Sequence, residues 1–340
     1  MEVGPQFRNM KIDKRNNFEN DIVIIDGLWG SGKSLLSPIV SGMDNMVKTI
    51  LVPYIDQINI LIHESKLQSN DGNALITNEI DRLIYENQLG RNLNYRLFDD
   101  TGILNNPNII KDIQKLFIKD IDLNGSEFKN SAISILTHML LISNSSLINN
   151  NSHNIKFIEV VRNPVFAFDH WLTFLERFNQ KKIFQLGYYD SEDEKFPWFS
   201  KSWIDEYKNL NKYEKAIKSM IYCYNILFNK YDEFSKNPNI IFLSFESIVY
   251  DTKKILNKIS DFTSRSHNRK IYKILKKQKI PRKSIMDGLG YAKYGFQKKS
   301  SKISDIEYYN NQLLKLDKYC DPKLINKYKE LINKYNLKFK

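Results

Sequence analysis

The stretch Asp21-Ile-Val-Ile-Ile-Asp26-Gly-Leu-Trp-Gly-Ser-Gly-Lys33-Ser34 decides the fold of this chain. A short apolar run stops at a glycine-rich turn, and apolar residues resume at Leu35-Leu36. This order is typical of a buried strand, a phosphate-binding loop and the first turn of a helix. The alternative is an ordinary glycine turn between a strand and a helix.

The loop fits the pattern G-x-x-x-x-G-K-[ST] through Gly27, Gly32, Lys33 and Ser34. Glycines let backbone N–H groups close around an anion, and the following helix adds the positive end of its dipole. Lys33 adds a full positive charge. The sequence therefore predicts a ligand that carries phosphate.

Length and composition favour a globular protein. The 340 residues, 42% of them hydrophobic, suffice for one large α/β domain or two smaller ones. The first twenty residues lack the apolar segment of a secretory signal, and no run reaches the roughly eighteen apolar residues of a membrane span. Cys223 and Cys320 are isolated, which predicts neither a disulfide framework nor a zinc site. We therefore expect a soluble, unexported protein in a reducing cytoplasm.

The formal net charge of +12 favours an anionic partner, such as a nucleotide, a nucleic acid or an acidic glycan. Lys and Arg are concentrated in residues 265–302 and near the C-terminus, whereas residues 190–194 are acidic. A solvated basic face explains the same charge. Because no RNP-like, zinc or helix-turn-helix signature is present, we expect no nucleic-acid partner.

Three further apolar runs predict strands, at residues 132–136, 156–161 and 240–245. Helical spacing is found at residues 33–42, 49–66, 74–89, 109–118, 166–178, 202–234 and 247–262, and a flexible segment is expected before Pro197. Alternating strands and helices predict a mostly parallel sheet covered by helices on both faces, as in P-loop NTPases, with a helical C-terminal extension. We expect a loose leader over residues 1–19, one domain over 20–303, and two closing helices packed on it over 304–340.

Two of the predicted strands carry polar side chains at their carboxyl ends, the edge where open parallel sheets bind ligands. One strand runs into Thr137-His138-Met139, and another into Arg162-Asn163-Pro164. An imidazole suits a general base, and an arginine suits bidentate binding of phosphate. The simpler alternatives are a histidine that closes a strand end through a backbone hydrogen bond and an arginine in a surface salt bridge.

Four segments resemble, in order, the sulfotransferase family, whose members place a P-loop-type fold around 3′-phosphoadenosine 5′-phosphosulfate. They are Trp29-Gly-Ser-Gly-Lys-Ser-Leu35, Thr137-His138-Met139, Glu159-Val-Val-Arg162-Asn163-Pro164, and Ile241-Phe-Leu-Ser-Phe-Glu246. His138 and Arg162 are 24 residues apart, similar to the spacing in that family.

The resemblance implies a role for each matched residue. His138 would be the catalytic base, and Arg162 would bind the 3′-phosphate. Independently of the resemblance, the positive charge of Lys33 suits neutralisation of the leaving phosphate. His170 stands where the family has a serine at that phosphate, and Gly30 where it usually has Lys or Arg. The other residues implied in donor binding are those of the loop, Trp29, Gly30, Ser31, Gly32, Ser34 and Leu35, and the late segment Arg282, Lys283 and Ser284, which is similar to the family's Arg-Lys-Gly.

The implied activity is transfer of a sulfuryl group from this donor to a hydroxyl acceptor, such as a sugar of a glycan. We expect no metal, because cationic groups can neutralise a phosphate leaving group. The alternative is an ATP-dependent kinase or nucleotide hydrolase with Mg²⁺ on Ser34. That alternative needs a strand that ends in a metal-binding Asp, and only Asp99-Asp100 could serve.

Overall fold

A computed structural model describes residues 18–91, 93–96, 102–105, 109–115, 117, 130–149, 154–180, 182–183, 185–267, 269–285 and 303–340. Most of the predicted leader and the Asp99-Asp100 pair lie outside the described residues. No helix in the described part of the chain is both long and apolar enough to cross a membrane.

The centre of the fold is a parallel sheet of five strands. Its strands are β1 (Ile22–Gly27), β2 (Ile50–Leu51), β3 (Ile133–Leu136), β4 (Ile155–Val161) and β7 (Ile240–Ser244), in the order β2-β3-β1-β4-β7. β1 therefore lies between the two strands whose ends carry His138 and Arg162. A separate antiparallel hairpin consists of β5 (Gly187–Tyr189) and β6 (Lys195–Pro197).

Helices connect these strands. In chain order they are α1 (Lys33–Val40), α2 (Pro53–His63), α3 (Ser69–Gln88), α4 (Ile109–Lys115), α5 (Leu140–Ser143), α6 (Pro164–Asn179), α7 (Ile204–Asn209), α8 (Lys212–Phe234), α9 (Phe245–Tyr250), α10 (Thr252–Thr263), α11 (Lys270–Gln278), α12 (Asp305–Tyr319) and α13 (Pro322–Phe339). The two closing helices predicted after residue 304 are confirmed.

The sheet is buried on both faces, which explains the continuous apolar run of β1. Ile22 and Ile24 point into one core, with side chains of α2, α3, α6, α8 and α13. Val23 and Ile25 point into the other core, with side chains of α1, α9, α10 and α11. The predicted fold class, a mostly parallel sheet covered by helices on both faces, is confirmed.

Several element boundaries differ from the prediction. β2, β5 and β6 have only two or three residues each, too few for a periodic pattern to indicate a strand. The helix predicted over residues 202–234 is wrong as one piece, because a 3₁₀ turn (Trp198–Trp203) and α7 precede α8. Asn211 and Glu214 form a capping box that starts α8. The helix predicted over 247–262 is likewise two helices, α9 and α10.

Ile24 tests the importance of the central strand. Its side chain is 0% exposed, so Ile24→Ala removes buried methylene and methyl groups and leaves a cavity. We expect the free energy of unfolding to fall by about 2–5 kcal/mol in urea denaturation. Leu314→Ala on α12 is the control, because Leu314 is 67% exposed. It should change stability by less than about 0.5 kcal/mol, and equal losses in the two variants would contradict this account.

Candidate active site

The glycine loop joins β1 to α1 in a conformation that requires glycine. Gly30 has φ 75° and Gly32 has φ 103°, both in the left-handed region. A Cβ on Gly32 would lie 2.2 Å from the ring of Phe245, and one on Gly30 would lie 2.5 Å from the Cβ of His170. The loop is therefore packed closely against the start of α9 and against the side of α6 at His170.

Lys33, the first residue of α1, is buried and folds back over its own loop. Its Nζ donates hydrogen bonds to the carbonyl oxygens of Gly27, at 2.5 Å, and Leu28, at 2.9 Å. Burial lowers the pKa of Lys33, and the carboxyl groups of Asp26 and Glu159 oppose that decrease. The ammonium group is thus bonded to the loop carbonyls and is stabilised by the charge of a nearby acidic pair.

That acidic pair, Asp26 and Glu159, lies side by side on β1 and β4. Asp26 accepts hydrogen bonds from the Thr137 hydroxyl, at 3.0 Å, and the Leu141 backbone N–H, at 2.8 Å. Oε2 of Glu159 is buried without a hydrogen-bond partner. Burial, and next the neighbouring Asp26, raise the pKa of Glu159 well above its ordinary value, so its carboxyl group tends to keep a proton.

His138 follows β3 and is held by a carboxylate and an indole. Its backbone N–H donates to Oδ1 of Asp56 at 2.9 Å, and its ring Nδ1 lies 3.4 Å from Oδ2 of the same carboxylate. Its ring stacks on Trp29 of the loop, with 4.7 Å between ring centroids. Burial, and next the charge of Lys33, lower the pKa of His138 to about 3. The imidazole is therefore neutral at physiological pH.

Trp29 links the loop to α6. Its indole stacks on Phe174 of α6 with 4.3 Å between ring centroids, as well as on His138. Nε1 of Trp29 and Oγ of Ser31 are both buried and have no hydrogen-bond partner in the protein. The loop therefore presents two buried polar atoms that the protein leaves unsatisfied.

Arg162 follows β4, contacts the same loop and is 4% exposed. Its Nη1 donates to the carbonyl oxygen of Gly30 at 3.1 Å, and its guanidinium lies over the Phe245 ring, 4.2 Å from the centroid. Its Nε is buried without a hydrogen-bond partner. An arginine with an unused buried donor suits an additional anionic acceptor.

Glu246 supplies a negative charge near Arg162. Its Oε1 accepts from the Asn163 backbone N–H at 3.1 Å, and its Oε2 accepts from the hydroxyl of Tyr335 on α13. Burial raises the pKa of Glu246, while the Tyr335 hydrogen bond and the charge of Arg162 oppose that increase. The C-terminal helix α13 therefore contributes to the arginine side of the site.

The other sequence-predicted residues lie at varied distances from the loop. His170 on α6 packs against Gly30, and burial, then the charge of Arg162, lower its pKa to about 3. The Arg282 guanidinium lies 6.0 Å from the centroid of the Phe245 ring that also supports Arg162. Lys283 is exposed, and Ser284 donates a 2.6 Å hydrogen bond to Asp305 on α12. Ser34 and Leu35 lie half-buried in the first turn of α1.

Sequence reasoning missed Asp56, Phe245 and the acidic pair as parts of the site. Asp26 and Glu159 stand inside the quoted motifs, and a charged residue in a buried strand was an available signal. Asp56 lies 82 residues before His138 in the sequence, and no local spacing connects the two. Phe245 carries no chemical signature, because its role is to pack under the two arginines.

The described residues border two cavities, of which one adjoins the site. One of about 450 Å³ is bordered by Asn163 and Glu246 on the arginine side of the site. Another of about 460 Å³ lies at the far end of α2, next to His63 and Trp198. Among the described residues, no group of three or more His, Cys, Asp or Glu side chains is arranged to hold a metal ion.

No protein-family model matches the chain, and no curated protein matches it. Among solved structures it is similar to the sulfotransferase domain of the curacin biosynthetic pathway, with 13% identity, a TM-score of 0.43 and coverage of 95% of this chain and 99% of that one. It is similar to the sulfotransferase domain of the Synechococcus PCC 7002 olefin synthase, with 11% identity, a TM-score of 0.41 and coverage of 96% and 98%.

It is also similar to the mouse sulfotransferase SULT7A1 complexed with PAP, with 12% identity, a TM-score of 0.39 and coverage of 95% and 86%.

Glu159 gives the stability of the protein a pH dependence with a definite sign. Its pKa in the folded state lies above the ordinary value of 4.5, so the folded protein binds more protons than the unfolded chain. The contribution of Glu159 to the free energy of unfolding is therefore fully present below pH 4.5. It decreases as the pH rises towards the folded-state pKa.

In Glu159→Gln this pH dependence should disappear. We expect the stability of the variant relative to the wild type to increase between pH 5 and pH 8, as measured by urea denaturation at several pH values. A difference that stays constant over this interval would show that Glu159 is already ionised in the folded protein.

Proposed function

We propose that this protein is a sulfotransferase that moves a sulfuryl group from 3′-phosphoadenosine 5′-phosphosulfate to a hydroxyl acceptor. The observation that carries the proposal is the convergence of two strand ends on one glycine loop. The His138 ring stacks on Trp29, while the Arg162 guanidinium donates to the next residue, Gly30. A proton acceptor and a buried cation therefore adjoin the same loop.

The unsatisfied polar atoms of the site fit such a donor. Trp29 Nε1, Ser31 Oγ and Arg162 Nε are buried and have no hydrogen-bond partner in the protein. Unpaired donors of this kind suit a ligand with several acceptor oxygens. A nucleotide with anionic groups at both its 5′ and 3′ positions supplies them.

Each residue of the site has a distinct role in this proposal. Arg162, with Arg282 near the same Phe245 ring, holds the 3′-phosphate. Lys33 leaves its loop carbonyls and neutralises the phosphate that departs. His138 removes the proton of the acceptor hydroxyl. The bound donor supplies an activated sulfuryl group on a stable leaving group.

The acceptor in this proposal is a hydroxyl compound, with a glycan sugar as the first class to test. It would approach through the accessible part of His138, which is 22% of that side chain. We propose that the protein acts in the cytoplasm and needs no metal for the transfer.

Nucleotide titration tests the donor. Adenosine 3′,5′-bisphosphate without metal should stabilise the protein, by about 2.7 kcal/mol at 100 times its Kd, because ligand binding to the folded state shifts the equilibrium. Calorimetry measures the Kd, and thermal unfolding measures the stabilisation. ATP with Mg²⁺ is the comparison ligand. Stabilisation by ATP and Mg²⁺ alone would favour the kinase or nucleotide hydrolase alternative and contradict the proposal.

The same titration assigns Arg162. Arg162→Ala should weaken the binding of adenosine 3′,5′-bisphosphate far more than the binding of the analogue without the 3′-phosphate, since the lost contact is bidentate and charge-assisted. Lys230→Ala, which removes a cation from α8 that is hydrogen-bonded to Ser145 and Glu233, is the matched control. Equal losses for the two nucleotides in Arg162→Ala would remove this residue from the 3′ site.

His138 is tested through turnover. His138→Ala should lower kcat by about 10²–10⁴-fold and leave donor affinity within a few-fold, because a general base acts in the transition state. Lys33→Ala should reduce both. His63→Ala on α2 is the histidine control, and His170→Ala is the comparison at the loop. Loss of turnover in His170→Ala but not in His138→Ala would show that His170, and not His138, is the base.

A further inference from the structure

The packing of the fold alone does not explain why the Asp56 carboxyl group is buried. It lies in the first turn of α2, is 5% exposed, and makes no hydrogen bond that caps its own helix. Burying a carboxylate is costly unless hydrogen bonds compensate it. Both of its oxygens face one residue: Oδ1 accepts from the His138 backbone N–H, and Oδ2 faces Nδ1 of the His138 ring.

We propose that Asp56 is the positioning residue of the histidine base, holding His138 in the tautomer with its proton on Nδ1 and its lone pair on Nε2. This inference rests on the proposed function for the use made of Nε2. A carboxylate opposite Nδ1 favours the proton on that nitrogen, since the second ring nitrogen then becomes the acceptor. Asp56 therefore acts through His138 and does not touch the substrate.

Two independent contacts fix the ring. The bond from the His138 backbone N–H to Oδ1 fixes the main chain at the end of β3, and the contact of Nδ1 with Oδ2 fixes the edge of the ring. The Trp29 indole covers one face, with an interplanar angle of 24°. With the edge and one face held, the direction of Nε2 is set by the fold of α2, β3 and the glycine loop.

Burial and the charges around His138 act on both the ring and Asp56. Lys33 of α1 disfavours the imidazolium form, and Asp26 of β1 favours it. Burial raises the pKa of Asp56 well above its ordinary value, and the bond from the His138 backbone opposes that increase. A carboxyl group that kept its proton on Oδ2 would donate to Nδ1 and leave the ring proton on Nε2, so a protonated Nε2 in the wild-type protein would overturn the proposal.

In the proposed reaction the acceptor oxygen forms a bond to sulfur, while the bond from sulfur to the phosphate oxygen breaks. The leaving phosphate takes the bonding electron pair, and Nε2 of His138 takes the hydroxyl proton. No oxidant, reductant or further reactant is required. The lone pair must be on Nε2 before this step, which is the condition that Asp56 maintains.

Asp56→Asn is the sharpest test, because asparagine has nearly the same shape. Its carbonyl oxygen can still accept from the His138 backbone, but its NH₂ group then faces Nδ1. This donor should force the ring proton to Nε2. We expect kcat to fall by about 10²–10⁴-fold with donor affinity within a few-fold, and Asp56→Glu to recover part of the activity.

Nitrogen NMR of the labelled imidazole gives a readout that is independent of turnover. The His138 signal, assigned by its loss in His138→Gln, should show protonated Nδ1 in the wild type and protonated Nε2 in Asp56→Asn. Glu79→Gln is the control, since Glu79 is a buried carboxyl group on α3 that pairs with Arg82. It should leave the His138 signal and kcat unchanged.

An unchanged tautomer in Asp56→Asn would overturn the proposal, even if kcat falls, because the loss would then be structural. An exchanged tautomer with unchanged kcat would also overturn it, because His138 would not be acting through Nε2. Failure of the proposed function is distinguishable, since it appears in the nucleotide titration of the wild-type protein. Thermal unfolding of each variant shows whether it is folded.

Discussion

The buried carboxylate of Asp26 is the group on which the site depends. It stands at the end of the central strand, accepts from Thr137 and Leu141, and faces Glu159 and the ammonium of Lys33. A buried carboxylate needs such partners, because the interior gives it no water. The same bonds that satisfy Asp26 fix the end of β3, and His138 is the next residue after Thr137. The stability of the interior and the geometry of the candidate base therefore have one origin.

A second constraint acts on the arginine side. The Phe245 ring lies against Gly32 of the loop, under the Arg162 guanidinium and near that of Arg282. An aromatic face attracts a cation without occupying its hydrogen-bond donors. The ring can thus hold Arg162 in place while Nε stays available to an anion. Glu246 and Tyr335 extend this arrangement to the C-terminal helix, which explains why a helix far along the chain belongs to the site.

The sequence predicted those parts of the protein that local patterns determine. The β-branched run before Gly27 indicated a strand buried on both faces, and the polar residues after β3 and β4 indicated the edge where side chains converge. Short elements such as β2 and the β5–β6 hairpin contain too few residues to show a periodic pattern in the sequence. The contact between Asp56 and His138 was not predictable, because it depends on how α2 packs against the end of β3. The domain bounds at residues 20 and 303, and each site role, stay predictions.

The two sides of the glycine loop lie in different electrostatic environments. Near Trp29, burial and the charge of Lys33 lower the pKa of His138, so its ring is neutral. Near Gly30, Arg162 keeps a cation in a buried position because Phe245 and Glu246 compensate it. Lys33 lies between the two and is bonded to carbonyl oxygens of the loop itself. In the proposed function, the leaving phosphate of the donor must compete with those carbonyls for Lys33.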